Sequence, residues 1–195
     1  LALAKEKGKT TRCVSNKRQL GMAMLMYKDD HRDALINLAV LDPNLDDKVV
    51  EDSRQNGIRW WPDLLKPYSK NREANQCPSV RSEDGFGIGL NYHELSIWLP
   101  QSGQEILFSS ILQPVRTVHL ADAAIIENPA EPDPDRWVPT TDPAKTWTVF
   151  RTVFFRTPNN GSYTSLPSRV VNRHGGSTSA LFVDGHADSM RTSQI

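Results

Sequence analysis

Proline, which cannot continue a helix, is absent from Leu3 to Asp30, and this more than any other feature limits what the chain can fold into. Within that stretch Asn16, Leu20, Ala23, Met24 and Tyr27 fall on one stripe at a 3.6-residue period, with Cys13 on the same side. The pattern predicts one long N-terminal helix. Gly8 and the Thr10-Thr11 pair weaken its first turns, so fraying is expected before residue 10. Met22, Leu25 and Met26 lie off the stripe, which calls for a second contact, either with the chain after residue 31 or with another subunit.

Beyond the helix the chain is of another kind. "DALINLAV" is periodic enough for a short strand or helix, and "LDPNLDD" makes a turn. The latter begins like a calcium loop but fails as one, because Asp47 stands where glycine is needed and Ser53 where a bidentate glutamate is needed. "WWPDLLKPYSKN" predicts a short packing helix started by Pro62, with Trp61, Leu64 and Leu65 on one side. "GFGIGLNY" reads as a tightly packed strand, "RTVHLADA" as a strand ending at Asp122, and "TWTVFRTVFF" has strand composition. Between the last two, the acidic, proline-rich stretch from Glu127 to Asp135 is a loop. One helix followed by strands, without βαβ alternation, predicts an α+β domain with an antiparallel sheet.

The length suits a single domain over residues 1–195, divided into the helix (1–30), a connection with the Gly-rich strand (31–115), and a sheet with a terminal hairpin (116–195). Lys+Arg and Asp+Glu are equal at 23 each, so no overall field draws the chain to an anionic polymer, and no nucleic-acid partner is expected. Lys5, Lys7, Lys9, Arg12, Lys17 and Arg18 nevertheless make the first 20 residues basic, which reads first as a solvated helix face and second as a stretch near a membrane surface.

"RHGGSTSALFVDGHADSM", residues 173–190, concentrates His, Asp and Gly. Asp184-Gly185 between two alternating segments predicts a β-hairpin with a two-residue turn, pairing Val183 with His186 and Phe182 with Ala187. Leu181, Val183, His186, Asp188 and Met190 then share one face, and Ala180 and Phe182 the other. Ten extended residues carry Asp184 far from His174, so no metal is expected to join them, and His174 is read as a cap on the backbone before the hairpin. Asp122, His186 and Asp188 are thinner metal candidates, because carboxylate and imidazole are acceptable ligands but no further ligand falls at a diagnostic spacing.

Several of these residues form recognisable motifs. His174, nine intervening residues and Asp184-Gly185 give the pattern H-x9-D-G, and Cys13 to Gly21 gives Cys-x-Ser-Asn-x-x-Gln-Leu-Gly. Trp61 with Leu65, Pro67 and Tyr68, then Cys77-Pro78-Ser79, "GFGIGLNY" and Asp122 come after them in order. Over nearly its whole length the chain thus resembles the bacterial prepilin-like class, the pseudopilins of type II secretion. The resemblance implies a pilin-like fold, with the C-terminal half of a long helix packed on an antiparallel sheet. It also implies a structural subunit, not an enzyme and without a cofactor, that assembles through its N-terminal helix into a type II secretion or type IV pilus-like fibre. The implied partners are other pseudopilins or copies of itself, and a prepilin peptidase acting on the full-length precursor. The implied location is extracytoplasmic, with inner-membrane anchoring before assembly.

The sequence starts at Leu1 and "LALA" is far short of the ~20 apolar residues that span a bilayer, so a preceding anchor is expected from the resemblance alone. By itself the chain is then expected to be an inert monomer or weak dimer. Export favours oxidation, and Cys13 lies on the packed stripe, so a Cys13–Cys77 disulfide is expected. Closing a loop of that length contributes roughly 4 kcal/mol in the chain-entropy account.

An extracytoplasmic sugar- or metal-binding module is the alternative, suggested by Trp60, Trp61, Trp98, Trp137 and Trp147 and by the acidic loop, although most of these tryptophans are expected in the core. Hydrolase motifs such as G-x-S-x-G and H-E-x-x-H are absent.

Overall fold

The structure, a computed structural model, describes residues 2–42, 57–81, 85–100, 103–141 and 153–195. Helix α1 (Ala2–Asp30) is continuous, and no break appears at Gly8 or at the threonines, whose hydroxyls bond back to Glu6 O and Lys7 O at 3.0 Å each. Strands β1 (Ala39–Leu41) and β2 (Ile58–Trp60) form a small antiparallel pair, followed directly by the single-turn helix α2 (Trp61–Leu64) with Pro62 in its first turn. The remaining strands are β3 (Ile88–Asn91), β4 (Val118–Ile125), β5 (Phe154–Phe155), β6 (Ser168–Val170), β7 (Thr178–Phe182) and β8 (Ala187–Met190).

The main sheet runs β5-β3-β4-β7-β8, with β6 also paired to β4. The fold is therefore α+β, with one departure from the purely antiparallel sheet the sequence suggests: β5 runs parallel to β3. Much of the "TWTVFRTVFF" segment and the failed calcium loop lie outside the described residues, as does Trp147. "DALINLAV" is mostly irregular chain whose Leu35, Ile36 and Leu38 are buried, and it becomes strand only at Ala39.

Every residue of the predicted stripe, from Cys13 to Tyr27, is buried. From that stripe Leu20, Ala23 and Met24 join Trp61, Leu65, Ile88, Leu90, Leu120, Leu181 and Ala187 in the principal core between α1 and the sheet. Behind the sheet Val118, Ala121, Ala123, Phe155, Val170, Ala180 and Phe182 form a second cluster. A bulge in β4 divides Val118 from Leu120: Val118 pairs with Phe182 while Leu120 pairs with Leu181, which leaves His119 as the extra residue.

The terminal hairpin forms, but one residue out of the expected register. Leu181 pairs with Ala187 and Phe182 N donates to His186 O, so the loop is Val183-Asp184-Gly185. Gly185 has φ of +93°, and its N–H donates to Phe182 O, which is the three-residue hairpin with a left-handed residue at its end. The extra loop residue reverses the face assignment on the second strand. His186 stacks on Phe182 at 4.2 Å between ring centroids, Ala187 joins Leu181 under α1, and Met190 packs behind the sheet.

Helix and hairpin meet at two glycines. A Cβ on Gly21 would stand 2.7 Å from Gly185 O and 2.7 Å from Leu181 Cδ1, while one on Gly185 would stand 2.8 Å from Leu25 Cδ1. Leu25, off the stripe, thus finds its contact in the same chain, whereas Met22 and Met26 remain 61% and 53% exposed. No helix among the described residues is long and apolar enough to cross a membrane.

The two glycines set two expected outcomes. Replacing a helical glycine by alanine ordinarily gains about 1 kcal/mol, but Gly21→Ala should lose about 1 kcal/mol or more in denaturant unfolding, because the methyl meets backbone. Gly185→Val should cost about 2 kcal/mol or more through its positive φ.

His119 should impose a pH dependence. Burial lowers its pKa from 6.5 to about 4, and its Nε2 has no hydrogen-bond partner among the described residues. The unfolded chain binds a proton in that interval that the folded chain excludes, so this stabilisation is complete above about pH 6.5 and is lost as pH falls through about 4, a change of roughly 3 kcal/mol. His119→Gln should flatten the urea midpoint against pH across that interval. An unchanged slope would remove His119 as its source.

Candidate functional site

The most unusual side chain in the core is Lys17, 0% exposed on the buried face of α1. It stands four residues beyond Cys13 and three before Leu20, which places it within the apolar stripe. Its Nζ donates to Asp122 Oδ1 at 2.6 Å and approaches Cys13 Sγ at 3.3 Å. Asp122 is also 0% exposed.

Strand β4 supplies that carboxylate at the point where its neighbour changes. Ala121 pairs with Ala180 of β7 and Ala123 with Val170 of β6, so Asp122 sits at the fork between the two. At the fork the amide and hydroxyl of Ser179 donate to Asp122 Oδ2 at 2.7 and 3.0 Å, and the Asp122 carbonyl accepts from Val171 N. A side-chain carboxylate thus replaces a strand carbonyl as the partner of a buried amide.

Two further groups converge on it. Cys77 comes after a short 3-10 turn (Arg72–Asn75) that is held to α1 by Asn16 Nδ2, which donates to Glu73 O and Gln76 O at 3.2 and 3.3 Å. His174 is turned inward by Gly175 and Gly176, whose φ values of +62° and +86° make a tight mirror-image turn closed between His174 and Ser177. Its Nε2 lies 3.4 Å from Cys77 Sγ and 3.4 Å from Asp122 Oδ2, and its Nδ1 lies 3.4 Å from Ser79 Oγ. Cys13 Sγ lies 3.3 Å from Asp122 Oδ1. One ligand atom from each of Cys13, Cys77, Asp122 and His174 falls within 4.8 Å of all the others, and all four residues are buried.

Charge is balanced inside this cluster. Burial alone raises a carboxyl pKa, but Lys17, His174 and Arg173 outweigh it and hold Asp122 at about 2. Burial likewise opposes the Lys17 ammonium, and Asp122 reverses the effect, so its pKa is raised. The thiols are split: a hydrogen bond to Cys77 and burial push Cys13 up, while the same hydrogen bond brings Cys77 down to about 7. Arg173 fastens the surroundings by donating to Gly87 O and Ala123 O at 2.6 and 2.9 Å, which ties β4 to the residue before β3.

Thiol, imidazole and carboxylate are the components of a hydrolytic triad, but here they are arranged otherwise. A triad needs the carboxylate on one ring nitrogen and the thiol on the other, whereas His174 Nε2 faces both Cys77 and Asp122. The cluster is also buried on every member, so a substrate carbonyl has no approach to either sulfur.

The structure sorts the residues that the sequence singles out. His174 is not a backbone cap, because the double-glycine turn aims its ring into the core. Asp184 serves the hairpin instead, accepting from His186 N at 3.2 Å and meeting His186 Nδ1 at 2.6 Å. Cys13 and Cys77 are free thiols and not a disulfide, with sulfurs within 4.8 Å. Among Asp122, His186 and Asp188, only Asp122 enters the cluster, while His186 and Asp188 lie on the exposed hairpin. Lys17, which the sequence groups with the basic surface, is the functional residue that pattern reading misses; its position on the stripe between Cys13 and Leu20 is the available signal. Trp60 and Trp61 are in the core, and Trp98 and Trp137 pack against apolar clusters, so no described tryptophan is exposed.

No family model, curated protein or solved structure matches the chain.

Removing one member of a buried ion pair strands the other, at a cost of about 3–5 kcal/mol. Lys17→Met and Asp122→Asn should each lose stability on that scale in urea unfolding under reducing, chelating conditions. The double variant should lose at least about 1 kcal/mol less than the two combined. Simple additivity would mean that the two charges do not stabilise one another.

Proposed function

We propose that this chain is a structural subunit of an extracytoplasmic pilin-like fibre, of the type II secretion or type IV pilus kind, that assembles through α1. One observation carries the proposal: the two motifs behind the resemblance form a single contact in the fold. Gly21, which ends the helical motif, lies against Gly185 of the Asp-Gly pair, and Cys13 and His174, which begin the two motifs, both reach Asp122. A sequence signature whose separated parts touch is a signature of how the helix docks on the sheet. Such a device suits a scaffold whose helix must transmit load to the globular part.

The free surface of α1 supports the same reading. Met22 and Met26 stand more than half exposed on consecutive turns, away from the sheet. A strip of flexible apolar side chains on a helix suits lateral packing against other helices. The closed geometry of the buried cluster agrees with a non-catalytic role.

The test is made in the native host with the whole reading frame. A photo-cross-linking residue at Met22 or at Met26 should trap a second copy or another pilin-like subunit, and the same label at buried Leu20 should trap neither. A chain that cross-links to no such subunit from either methionine position would overturn the proposal.

A further inference from the structure

The four donors of the buried cluster lie close enough together to share one ion. Metal–ligand distances near 2.3 Å for thiolate and about 2.0–2.2 Å for imidazole and carboxylate imply corner-to-corner separations of about 3.3–3.8 Å. Cys77 Sγ lies 3.4 Å from His174 Nε2, and the two Asp122 oxygens are shared out, Oδ1 at 3.3 Å from Cys13 Sγ and Oδ2 at 3.4 Å from His174 Nε2, so that one donor atom from each residue falls within 4.8 Å of the others. The sulfurs are not bonded to one another, and all four donors lie within reach of a common centre.

We propose that Cys13, Cys77, Asp122 and His174 bind a divalent ion of the zinc class, closing a structural site that staples α1 to the sheet. Two sulfurs, an imidazole and a carboxylate are a borderline-soft donor set, which suits zinc and disfavours calcium or magnesium. Four protein ligands with no open position make the site structural and not catalytic.

Charge explains the presence of Lys17. On binding, the S–H bonds of Cys13 and Cys77 break and both protons leave to solvent, so the ion meets two thiolates, one carboxylate and a neutral imidazole. The ion's two positive charges and the one on Lys17 then balance three negative charges, and the buried site is neutral. Without the ion, Lys17 and Asp122 balance each other whenever both thiols carry their protons. Lys17 thus keeps the site electroneutral in either state, and its Nζ, already on Cys13 Sγ and Asp122 Oδ1, becomes an outer donor to two ligands. Ser179 does the same for Asp122 Oδ2, while Ser79 Oγ accepts from His174 Nδ1–H, the tautomer that leaves Nε2 to the ion.

The ligands come from four places in the chain: α1, the segment after the 3-10 turn, β4 and the turn before β7. Such a site cannot exist in the unfolded chain, so ion binding and folding are coupled. A surface depression lined by Arg12, Asn16, Glu73, Gln76 and Cys77 borders the site, and because Cys77 is 0% exposed the ion enters as the chain folds or opens there.

The whole chain, unfolded with reductant and chelator and then refolded with cobalt(II), is the direct test. One equivalent should give the intense visible bands of tetrahedral cobalt and a thiolate-to-cobalt charge-transfer band sized for two sulfurs, with zinc then displacing it. Zinc should also raise the melting temperature of the wild-type chain, and chelator should reverse the rise. Cys77→Ser and His174→Gln should lower cobalt affinity at least 10-fold, whereas His186→Gln should leave it unchanged. Weak octahedral cobalt bands together with a zinc-independent melting temperature in the wild-type chain would overturn the proposal without reliance on any variant. A Cys13–Cys77 disulfide that forms on air oxidation despite equimolar zinc would overturn it as well.

Discussion

Lys17 places a full positive charge where water does not reach, and Asp122 above all makes that tolerable. Desolvating either ion alone costs several kcal/mol, so α1 cannot slide or rotate on the sheet without stranding a charge. Hydrophobic contacts from Leu20, Ala23 and Met24 supply most of the attraction between helix and sheet, but apolar packing is forgiving of small shifts. The ion pair is not forgiving. It fixes one register of α1, and the Gly21–Gly185 approach can form only in that register.

Asp122 can serve in this way because the sheet is irregular around it. A carboxylate in the middle of a regular ladder would find every amide already taken by a carbonyl. Here β4 exchanges β7 for β6 at residue 122, and the Ser179 amide left without a strand partner goes to the side chain. The bulge at His119 and the double-glycine turn before β7 belong to the same adjustment, since both shift phase so that Leu120, Asp122 and His174 face the helix. The interruption of the sheet is offset by a polar centre that ties together segments far apart in sequence.

In the fibre subunit we propose, load along α1 would fall on the same centre. A structural subunit built to bear load along a helix needs a connection between helix and globular part that does not slip. Buried ion pair, interlocked glycines and a four-donor cluster all lie on that one interface. An ion bound there would add a fourth constraint in the same place and leave the exposed methionine strip of α1 free for neighbours.

By itself the sequence determined the elements whose signal is local. The 3.6-residue stripe from Cys13 to Tyr27 marks α1 because a helix repeats its face every few residues, and Asp184-Gly185 marks a hairpin because few dipeptides accept its backbone angles. The same locality explains the wrong hairpin register. Two- and three-residue hairpin loops share the Asp-Gly signal, and only packing of Leu181 and Ala187 against α1 selects the longer one, with every face on the second strand reversed. His174 and the two cysteines are visible in the sequence as residues but not as a group, since Cys13, Cys77, Asp122 and His174 are brought together by strand order and not by spacing. Tertiary structure alone decided that a lysine in a basic segment is an interior residue, because the carboxylate that compensates its burial lies 105 positions away along the chain.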